Sequence, residues 1–410
     1  MSSGRRPSTP ARRGARAWVP AALVLALAAP LGACQADSGS GGAAAPAATA
    51  SPAPARIDVL PADAALDVRL DAPVTVRVTD GQLDEVVVTA QDGTPLEGAV
   101  AGDGLTWTST APLLAGARYE VRATAHGSGG APAERTSSFT ALDPAVTAFP
   151  AVAPLSGSTV GVGMPVIVTF DEAVADDRRA LVEERLRVTT SPAPVEGSWR
   201  WVSATQVQYR PAEFWPAQTD VHLDVDLGST EVAPGVWGVT RDIDFHVGAA
   251  VVSQVDVQAH TLTVTRDGEV LRTIPVTTGQ DGHGGKYVTR SGTKVVMSLE
   301  ESRQMDAETT GVSRDDPEYY DVAVRYAMRL TNSGEFLHAA PWSAASHGRA
   351  NVSHGCTGMG LEDARWLFEQ SHVGDVVVFT GTDRAVEPGN GFDAWGYSWE
   401  QWRAGSALQG

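Results

Sequence analysis

The sequence predicts a mainly β protein, in which two small β-sandwiches in tandem precede a β-rich third domain. Short segments of alternating apolar and polar residues, broken by Asp-Gly and Pro, follow one another from residue 57. The run Pro61 to Val78 resembles the run Pro154 to Phe170, which indicates a repeated module. Two segments alone show the apolar period of a helix. A chain of 410 residues is long enough for several such domains.

The first 33 residues have the layout of an export signal. Five arginines precede the apolar run "WVPAALVLALAAPLGAC", which is too short for a membrane-spanning helix. Its end, Leu31 to Cys34, resembles the bacterial lipobox, where the signal is cut before a cysteine that then receives lipid. We therefore expect an exported protein, lipid-anchored through Cys34 to the outer face of the cell membrane and facing the cell wall. The alternative is a plain signal peptide with a chance cysteine.

Composition and residue pattern divide the rest of the chain into five segments. Ala, Pro, Gly and Ser without any aromatic residue predict a flexible linker that cannot form a core. The first sandwich has no helix period, whereas the second has one helix candidate at residues 176–188. The predicted segments are the linker 34–56, the first sandwich 57–143, the second sandwich 144–247, the third domain 248–384 and a tryptophan-rich extension 385–410.

Within the third domain the patterns predict a hairpin and one clear helix. The hairpin turns at Asp267-Gly268 between two alternating runs. The helix "LEDARWLFEQSH" places Leu361, Ala364, Leu367 and Phe368 on one face, and Gly374 is expected to end it. We expect the tryptophans of the extension to brace the third domain, because aromatic tails usually dock onto a folded body.

The net charge of the chain argues against anionic partners. The leader holds five of the 31 basic residues and none of the 49 acidic ones, so its removal changes the net charge from −18 to −23. Such a surface repels nucleic acid and anionic lipid headgroups. A neutral or cationic partner is favoured.

One cysteine and one histidine form the candidate chemical site. If Cys34 carries lipid, Cys356 in "NVSHGCTGMG" remains as a free thiol outside the cell, where it is prone to oxidation. His338 ends a predicted strand and is a candidate base for this thiol. The loop around Cys356 is expected to lie immediately before a helix. Its backbone N–H groups would then hold an oxyanion and lower the thiol pKa.

The segment "FLHAAPWSAASHGRANVSHGCTGM" resembles the active-site signature of the L,D-transpeptidases of the YkuD family. That signature is a histidine, a spacer and Ser-His-Gly-Cys. The two sandwiches, read as Ig-like modules, the lipobox and the tryptophan-rich tail are also similar to the mycobacterial branch of this family. The resemblance implies a YkuD-type catalytic domain that forms 3→3 peptidoglycan crosslinks through a cysteine acyl-enzyme.

The same resemblance implies roles for individual residues. Cys356 would be the nucleophile and His338 the general base and acid, with the backbone carbonyl of Ala339 orienting the ring where many members have serine. His354 and Gly355 would line the site, with backbone N–H groups around Gly355 and Cys356 as the oxyanion hole. The residues assigned to substrate binding are Ser353 and Asn332, the latter aligned with an aromatic lid residue of some members.

The partners implied by the resemblance are a donor tetrapeptide stem and an acceptor amine, with carbapenem β-lactams as inhibitors and no cofactor. Three other interpretations remain open. One is a zinc site, although the spacing of its candidate ligands fits no finger or zincin pattern. The second is a non-catalytic wall-binding lipoprotein with Ig-like spacers, and the third an L,D-carboxypeptidase-like hydrolase. The candidate zinc ligands are His338, His347, His354, Cys356 and His372.

Overall fold

Strands make up most of the regular structure in the computed structural model, which describes residues 54–409. The mainly β class predicted from the sequence is confirmed. The expected export signal, the lipidation site Cys34 and most of the linker lie outside the described residues. Between residues 54 and 409, no helix is both long enough and apolar enough to cross a membrane.

The first sandwich contains eight strands in two four-stranded sheets. One sheet has the order β1-β3-β6-β5 and the other β2-β8-β7-β4. Alternate side chains of β7, such as Tyr119 and Val121, are buried between the sheets, because successive residues of a strand point to opposite faces. The strands are β1 (Arg56–Leu60), β2 (Ala65–Val68), β3 (Thr75–Thr79), β4 (Gly81–Ala90), β5 (Gly98–Val100), β6 (Thr106–Ser109), β7 (Arg118–Gly127) and β8 (Pro132–Ala141).

The second sandwich packs the sheet β10-β12-β15-β14 against β11-β19-β16-β13. A small third sheet, β17-β18-β9, places Trp237 in the core of the first sandwich. The strands are β9 (Val146–Ala148), β10 (Pro150–Ala153), β11 (Thr159–Val160), β12 (Val166–Phe170), β13 (Leu186–Ser191), β14 (Gly197–Trp201), β15 (Gln206–Pro211), β16 (Thr219–Val225), β17 (Glu231–Ala233), β18 (Val236–Gly238) and β19 (Arg241–Val247).

The helix candidate of this sandwich is shorter than predicted. A 3-10 turn, Asp176–Arg178, leads into α1 (Arg179–Glu184). The predicted helix ran on to residue 188, but Leu186 is buried as the first residue of β13. Pairing of β13 with β16 therefore overrides the local helix period.

The third domain combines a five-stranded sheet, β22-β21-β20-β28-β23, with a four-stranded sheet, β24-β25-β26-β27. The predicted hairpin joins β21 to β22 through Asp267 and Gly268, both at positive φ. The strands are β20 (Val251–Asp256), β21 (Thr261–Arg266), β22 (Glu269–Pro275), β23 (Gly292–Val295), β24 (Ser298–Asp306), β25 (Asp321–Arg329), β26 (Phe336–Ala339), β27 (Thr357–Met359) and β28 (Val376–Thr380).

The predicted helix of this domain is α2 (Leu361–Gln370), which buries Ala364 and Leu367 in the core between the sheets. Leu361 begins the helix and is 44% exposed, so it is not part of the buried face. The helix ends before the predicted Gly374, because Ser371 is extended and its hydroxyl donates to the carbonyl of Leu367. Gly374 instead adopts φ 99° in the turn that enters β28.

The tryptophan-rich extension contacts both the second sandwich and the third domain: Glu387 pairs with Arg290 of the third domain, whereas the indole N–H groups described here bind the second sandwich, not the third domain they were expected to brace. The indole of Trp402, in α3 (Trp399–Arg403), donates to the carbonyl of Ser198 at 2.8 Å, and that of Trp395 donates to Gly163 at 2.8 Å. The Arg210 guanidinium lies 4.6–5.3 Å from the ring centroids of Trp395, Trp399 and Trp402. Burial lowers the pKa of Arg210 to about 10, and the aromatic faces partly replace the lost water.

Trp402→Ala is expected to lower the free energy of unfolding by about 3–5 kcal/mol, because it removes a fully buried indole and leaves a cavity. Denaturant unfolding measures the change. Glu400→Ala, at an exposed position of the same helix, is the control and should change little. Equal effects of the two substitutions would contradict the packing described here.

Candidate active site

His338 lies in β26, and Cys356 directly precedes the neighbouring strand β27 of the four-stranded sheet. β26 and β27 are parallel, and His338 pairs with Gly358. Cys356 precedes Gly358 by two residues, so its side chain lies on the same face as His338. Both side chains line one cavity of about 310 Å³. The pairing of strands thus brings together two residues that the sequence separates by a long loop.

The imidazole of His338 is held as a neutral base. Its Nδ1 lies 2.8 Å from the carbonyl oxygen of Ala339. A carbonyl oxygen only accepts, so Nδ1 carries the hydrogen and Nε2 presents its lone pair. Burial lowers the pKa of His338, although the Ala339 carbonyl acts in the opposite direction. The ring is therefore unprotonated near neutral pH, and its Nε2 lone pair is available to accept a proton from a neighbouring group.

The thiol of Cys356 is protonated in the free protein. Its Sγ donates to the carbonyl of Gly334 at 3.5 Å. Burial raises the pKa of Cys356 to about 12, against a smaller opposing effect of the Phe336 N–H. This corrects the expected lowering, because β27 separates Cys356 from α2 and no helix N-terminus follows the cysteine directly. Thiolate formation at neutral pH then requires a base.

The loop that carries Cys356 is fixed by its own hydrogen bonds. The Ser353 hydroxyl donates to the carbonyl of Cys356 at 2.6 Å and accepts the N–H of Gly355 at 3.1 Å. The Thr289 hydroxyl donates to the Gly355 carbonyl at 2.8 Å. Gly355 has φ 129°, which a residue with a Cβ rarely adopts. Since Ser353 already holds the Gly355 N–H, this group is not an open oxyanion donor in the free protein.

His354 joins this loop to a segment that contributes to the wall of the cavity. Its Nε2 lies 2.8 Å from a carboxylate oxygen of Glu318, and its ring contacts the rings of Tyr287 and Tyr320 at 4.4 and 5.0 Å. Glu318 and Tyr320 belong to the connection between β24 and β25. The contact with His354 therefore holds this connection at the wall of the cavity, which includes Tyr320.

Asn351 positions the start of the same loop. Its side-chain oxygen accepts from the N–H and the hydroxyl of Thr278 at 3.1 and 2.9 Å, and lies 3.0 Å from Nδ1 of His260. Its amide donates to the carbonyl of Val257 at 3.0 Å. These partners are more than 70 residues away in sequence, so the sequence indicated only a polar loop here.

Asn332 and Trp342 lie in the walls of cavities at this site. Asn332 is in the turn between β25 and β26, where its amide donates to the carbonyl of Gly389, and it lines a second, smaller cavity instead of the one that holds Cys356. Trp342 is 59% exposed, lines the cavity that holds Cys356 and stacks on His338 with ring centroids 6.0 Å apart. The sequence feature that could have identified Trp342 as a site residue is its position four residues after His338.

A buried ion cluster lies behind the thiol, and sequence reasoning missed it. Lys294 Nζ lies 2.6 Å and Arg290 Nη1 lies 3.1 Å from the carboxylate of Glu335, and the Lys294 and Glu335 side chains are 1% and 5% exposed. Burial lowers the pKa of Lys294, while Glu335 opposes that change. Glu335 directly precedes Phe336, whose N–H faces the sulfur. The cluster therefore anchors the strand that contacts the thiol.

The residues weighed as zinc ligands do not form a cluster. Within residues 54–409, no group of three or more His, Cys, Asp or Glu side chains is arranged to hold a metal ion. His347 approaches the Ser343 hydroxyl instead, and the backbone N–H of His372 donates to Asp375.

Comparison with known proteins places the chain in a family. The model of the L,D-transpeptidase catalytic domain (YkuD) matches residues 250–379, and that of a bacterial Ig domain matches residues 65–231, across strands of both sandwiches. "L,D-transpeptidase 2" of Mycobacterium tuberculosis (strain CDC 1551 / Oshkosh) is 35% identical over 400 residues, which cover 96% of each chain. The chain belongs to the L,D-transpeptidase family.

Other members of the family are similar over shorter lengths. "L,D-transpeptidase 5" of Mycobacterium tuberculosis (strain ATCC 25618 / H37Rv) is 33% identical over 364 residues, 87% of this chain and 78% of that one. A solved structure of an LD transpeptidase in complex with imipenem is 36% identical, covers 56% of this chain and 97% of its own, and has a TM-score of 0.49. The family model and the match to "L,D-transpeptidase 2" confirm the family predicted from the His338 and Cys356 signature.

Proposed function

We propose that this protein is a peptidoglycan L,D-transpeptidase, which joins the third residues of two stem peptides through a thioester on Cys356. The observation that carries this proposal is the shared cavity of a protonated thiol and a neutral imidazole with its Nε2 lone pair available. A thiol with a base beside it is the arrangement that acyl transfer requires. Membership of the L,D-transpeptidase family supports the same substrate class.

The first half-reaction forms the acyl-enzyme. Nε2 of His338 takes the thiol proton as the sulfur of Cys356 attacks the carbonyl carbon of the third donor residue. The backbone N–H of Cys356 is the oxyanion donor in this proposal, since Ser353 occupies that of Gly355. When the C–N bond breaks, His338 returns the proton to the leaving nitrogen. A thioester and a free amino acid result.

The second half-reaction releases the product. The side-chain amine of an acceptor stem attacks the thioester and gives a proton to His338. The C–S bond breaks, the sulfur regains a proton and a new amide links the two stems. If water replaced the amine, the same site would act as an L,D-carboxypeptidase-like hydrolase. The acidic chain favours an amine-bearing acceptor, because its net charge attracts cations.

The location of the enzyme is part of the proposal. The "LGAC" sequence ending at Cys34 and the spacer that follows it support export and lipid anchoring on the outer face of the membrane. The two sandwiches would then hold the catalytic domain towards the cell wall. Mass spectrometry of the protein purified from native membranes tests this step, and a mature chain without lipid on Cys34 would contradict it.

Carbapenem acylation provides the direct test of the thioester chemistry. We expect intact-mass analysis of residues 54–410 after incubation with a carbapenem to show one drug adduct, and the Cys356→Ala variant to show none. A tetrapeptide donor with an amine-bearing acceptor should give the crosslinked peptide in the wild type alone. An unmodified wild type that also forms no product would favour the non-catalytic wall-binding alternative.

A further inference from the structure

A second cavity of about 130 Å³ adjoins the catalytic cavity, with Met305 and Tyr320 in the walls of both. Gly334 and Phe336 also line the second cavity. These two residues contact the nucleophile, because the Cys356 thiol donates to the Gly334 carbonyl at 3.5 Å and the Phe336 N–H faces the sulfur. The second cavity therefore begins at the backbone that holds the reacting atom.

Two guanidinium groups line this second cavity, one from each strand of the β24–β25 hairpin. The Arg303 and Arg329 groups lie 5.1 and 4.7 Å from the ring centroid of Phe336, so both approach the same ring. Arg303 has a carboxylate partner, Glu300, at 2.8 and 2.9 Å. The Arg329 hydrogen bonds go to the backbone carbonyls of Thr331 and Asn332, at 3.0 and 3.4 Å.

The charges of this pair favour an anion. Burial lowers the pKa of Arg329, and the nearby Arg303 cation acts in the same direction. A carboxylate between the two groups would relieve this repulsion and accept charge-assisted hydrogen bonds. Asp306 also lines the cavity, but its carboxylate caps the turn that follows, at 2.9 Å from the Glu308 N–H, and lies 3.9 Å from Arg314.

We propose that this second cavity is the subsite for the C-terminal residue of the donor stem, with Arg329 and Arg303 binding its carboxylate. The inference rests on the proposed function. The leaving residue is bonded directly to the carbonyl that Cys356 attacks, and one nitrogen and one Cα separate that carbonyl from the carboxylate. A carboxylate-binding pair beside the thiol is therefore at the place where the leaving group must lie. The small volume suits a single amino acid.

The test compares two donors that differ in the terminal group alone, a tetrapeptide with a free carboxylate and its C-terminal carboxamide. We expect the wild type to prefer the carboxylate about 10- to 100-fold in kcat/KM, the range of a charge-assisted hydrogen bond. Arg329→Gln should lose this preference, because kcat/KM falls for the carboxylate donor alone. Arg303→Gln should also reduce the preference for the carboxylate donor. Arg329→Lys should keep part of the preference, because it retains the charge.

The matched control is Arg325→Gln on the same strand, an exposed arginine that lies on the ring of Tyr326 and does not line either cavity. It should keep the full preference. Alkylation of Cys356 by iodoacetamide, a neutral reagent, shows in each variant whether the thiol site is intact. Equal use of both donors by the wild type, or an equal loss on both donors in Arg329→Gln, would overturn the subsite. A wild type that uses neither donor would instead overturn the proposed function, and the subsite with it.

Discussion

His338→Gln is expected to slow the acylation of Cys356 by a carbapenem about 100- to 10,000-fold, the usual contribution of a positioned base. The reason is the state of the free site. Burial raises the pKa of the thiol to about 12, so almost no thiolate exists at neutral pH without help. Glutamine keeps much of the shape of histidine but cannot take the proton. Stopped-flow absorbance of the β-lactam measures the rate.

The pH dependence separates this role from a structural one. Burial lowers the pKa of His338 below its ordinary 6.5, so the imidazole stays unprotonated to lower pH. The wild-type rate should therefore be level around neutral pH and fall only below pH 6.5, where protonation removes the base. In His338→Gln the rate should rise with pH throughout, because hydroxide must ionise the thiol.

A distant histidine provides the control for this experiment. His372→Gln changes a histidine that follows α2 and does not line the catalytic cavity, so it should leave both rate and profile unchanged. A His338→Gln variant with the wild-type rate, or with the wild-type pH profile, would contradict the assignment of the base.

Glu335→Gln is expected to lower the free energy of unfolding by about 3–5 kcal/mol, because it leaves the Lys294 ammonium buried without its carboxylate partner. Lys294→Met should cost less than this, since Arg290 still faces Glu335. The double variant Glu335→Leu with Lys294→Met should recover most of the loss, because apolar residues replace both buried charges. With the single variant Glu335→Leu added, denaturant unfolding of both single variants and the double variant completes a double-mutant cycle and gives the coupling.

Glu369→Gln is the matched control for this pair. Glu369 pairs with Arg365 on the exposed side of α2 at 2.9 Å, with both side chains more than half exposed, so its loss should cost less than about 1 kcal/mol. The same unfolding measurement applies. If Glu335→Gln cost no more than Glu369→Gln, or if the double variant were as unstable as the sum of its parts, the buried pair would not anchor the strand behind the thiol.

The buried cluster of Lys294, Arg290 and Glu335 affects the position of the thiol as well as the stability of the fold. Glu335 directly precedes Phe336, the first residue of β26. Lys294 holds the Glu335 side chain, and the Phe336 backbone N–H faces the Cys356 sulfur. A shift of this strand would move the sulfur relative to His338, two residues further along. We therefore expect Glu335→Gln also to slow acylation, although less than His338→Gln does.

Several features were determined by the sequence alone, because they depend on residues that are near one another in the chain. The alternating patterns predicted the mainly β class and the hairpin at Asp267-Gly268, which the structure contains. The spacing of His338 and Ser-His-Gly-Cys indicated the family, which the comparisons confirm. The length of α2 was overestimated by local periodicity, since its end depends on the Ser371 hydrogen bond.

Other features were decided by the tertiary structure, since they arise between residues that are far apart in the chain. Lys294 and Glu335 are 41 positions apart and meet because the Lys294 side chain of β23 reaches the carboxylate that precedes β26. The tryptophans Trp395 and Trp402 of the extension pack on the second sandwich because Arg210 presents a buried cation to them. The thiol pKa followed the same rule: the local sequence suggested that it would be lowered, and burial by distant segments raised it. Ionisation depends on the surrounding dielectric and charges, which the fold alone assembles.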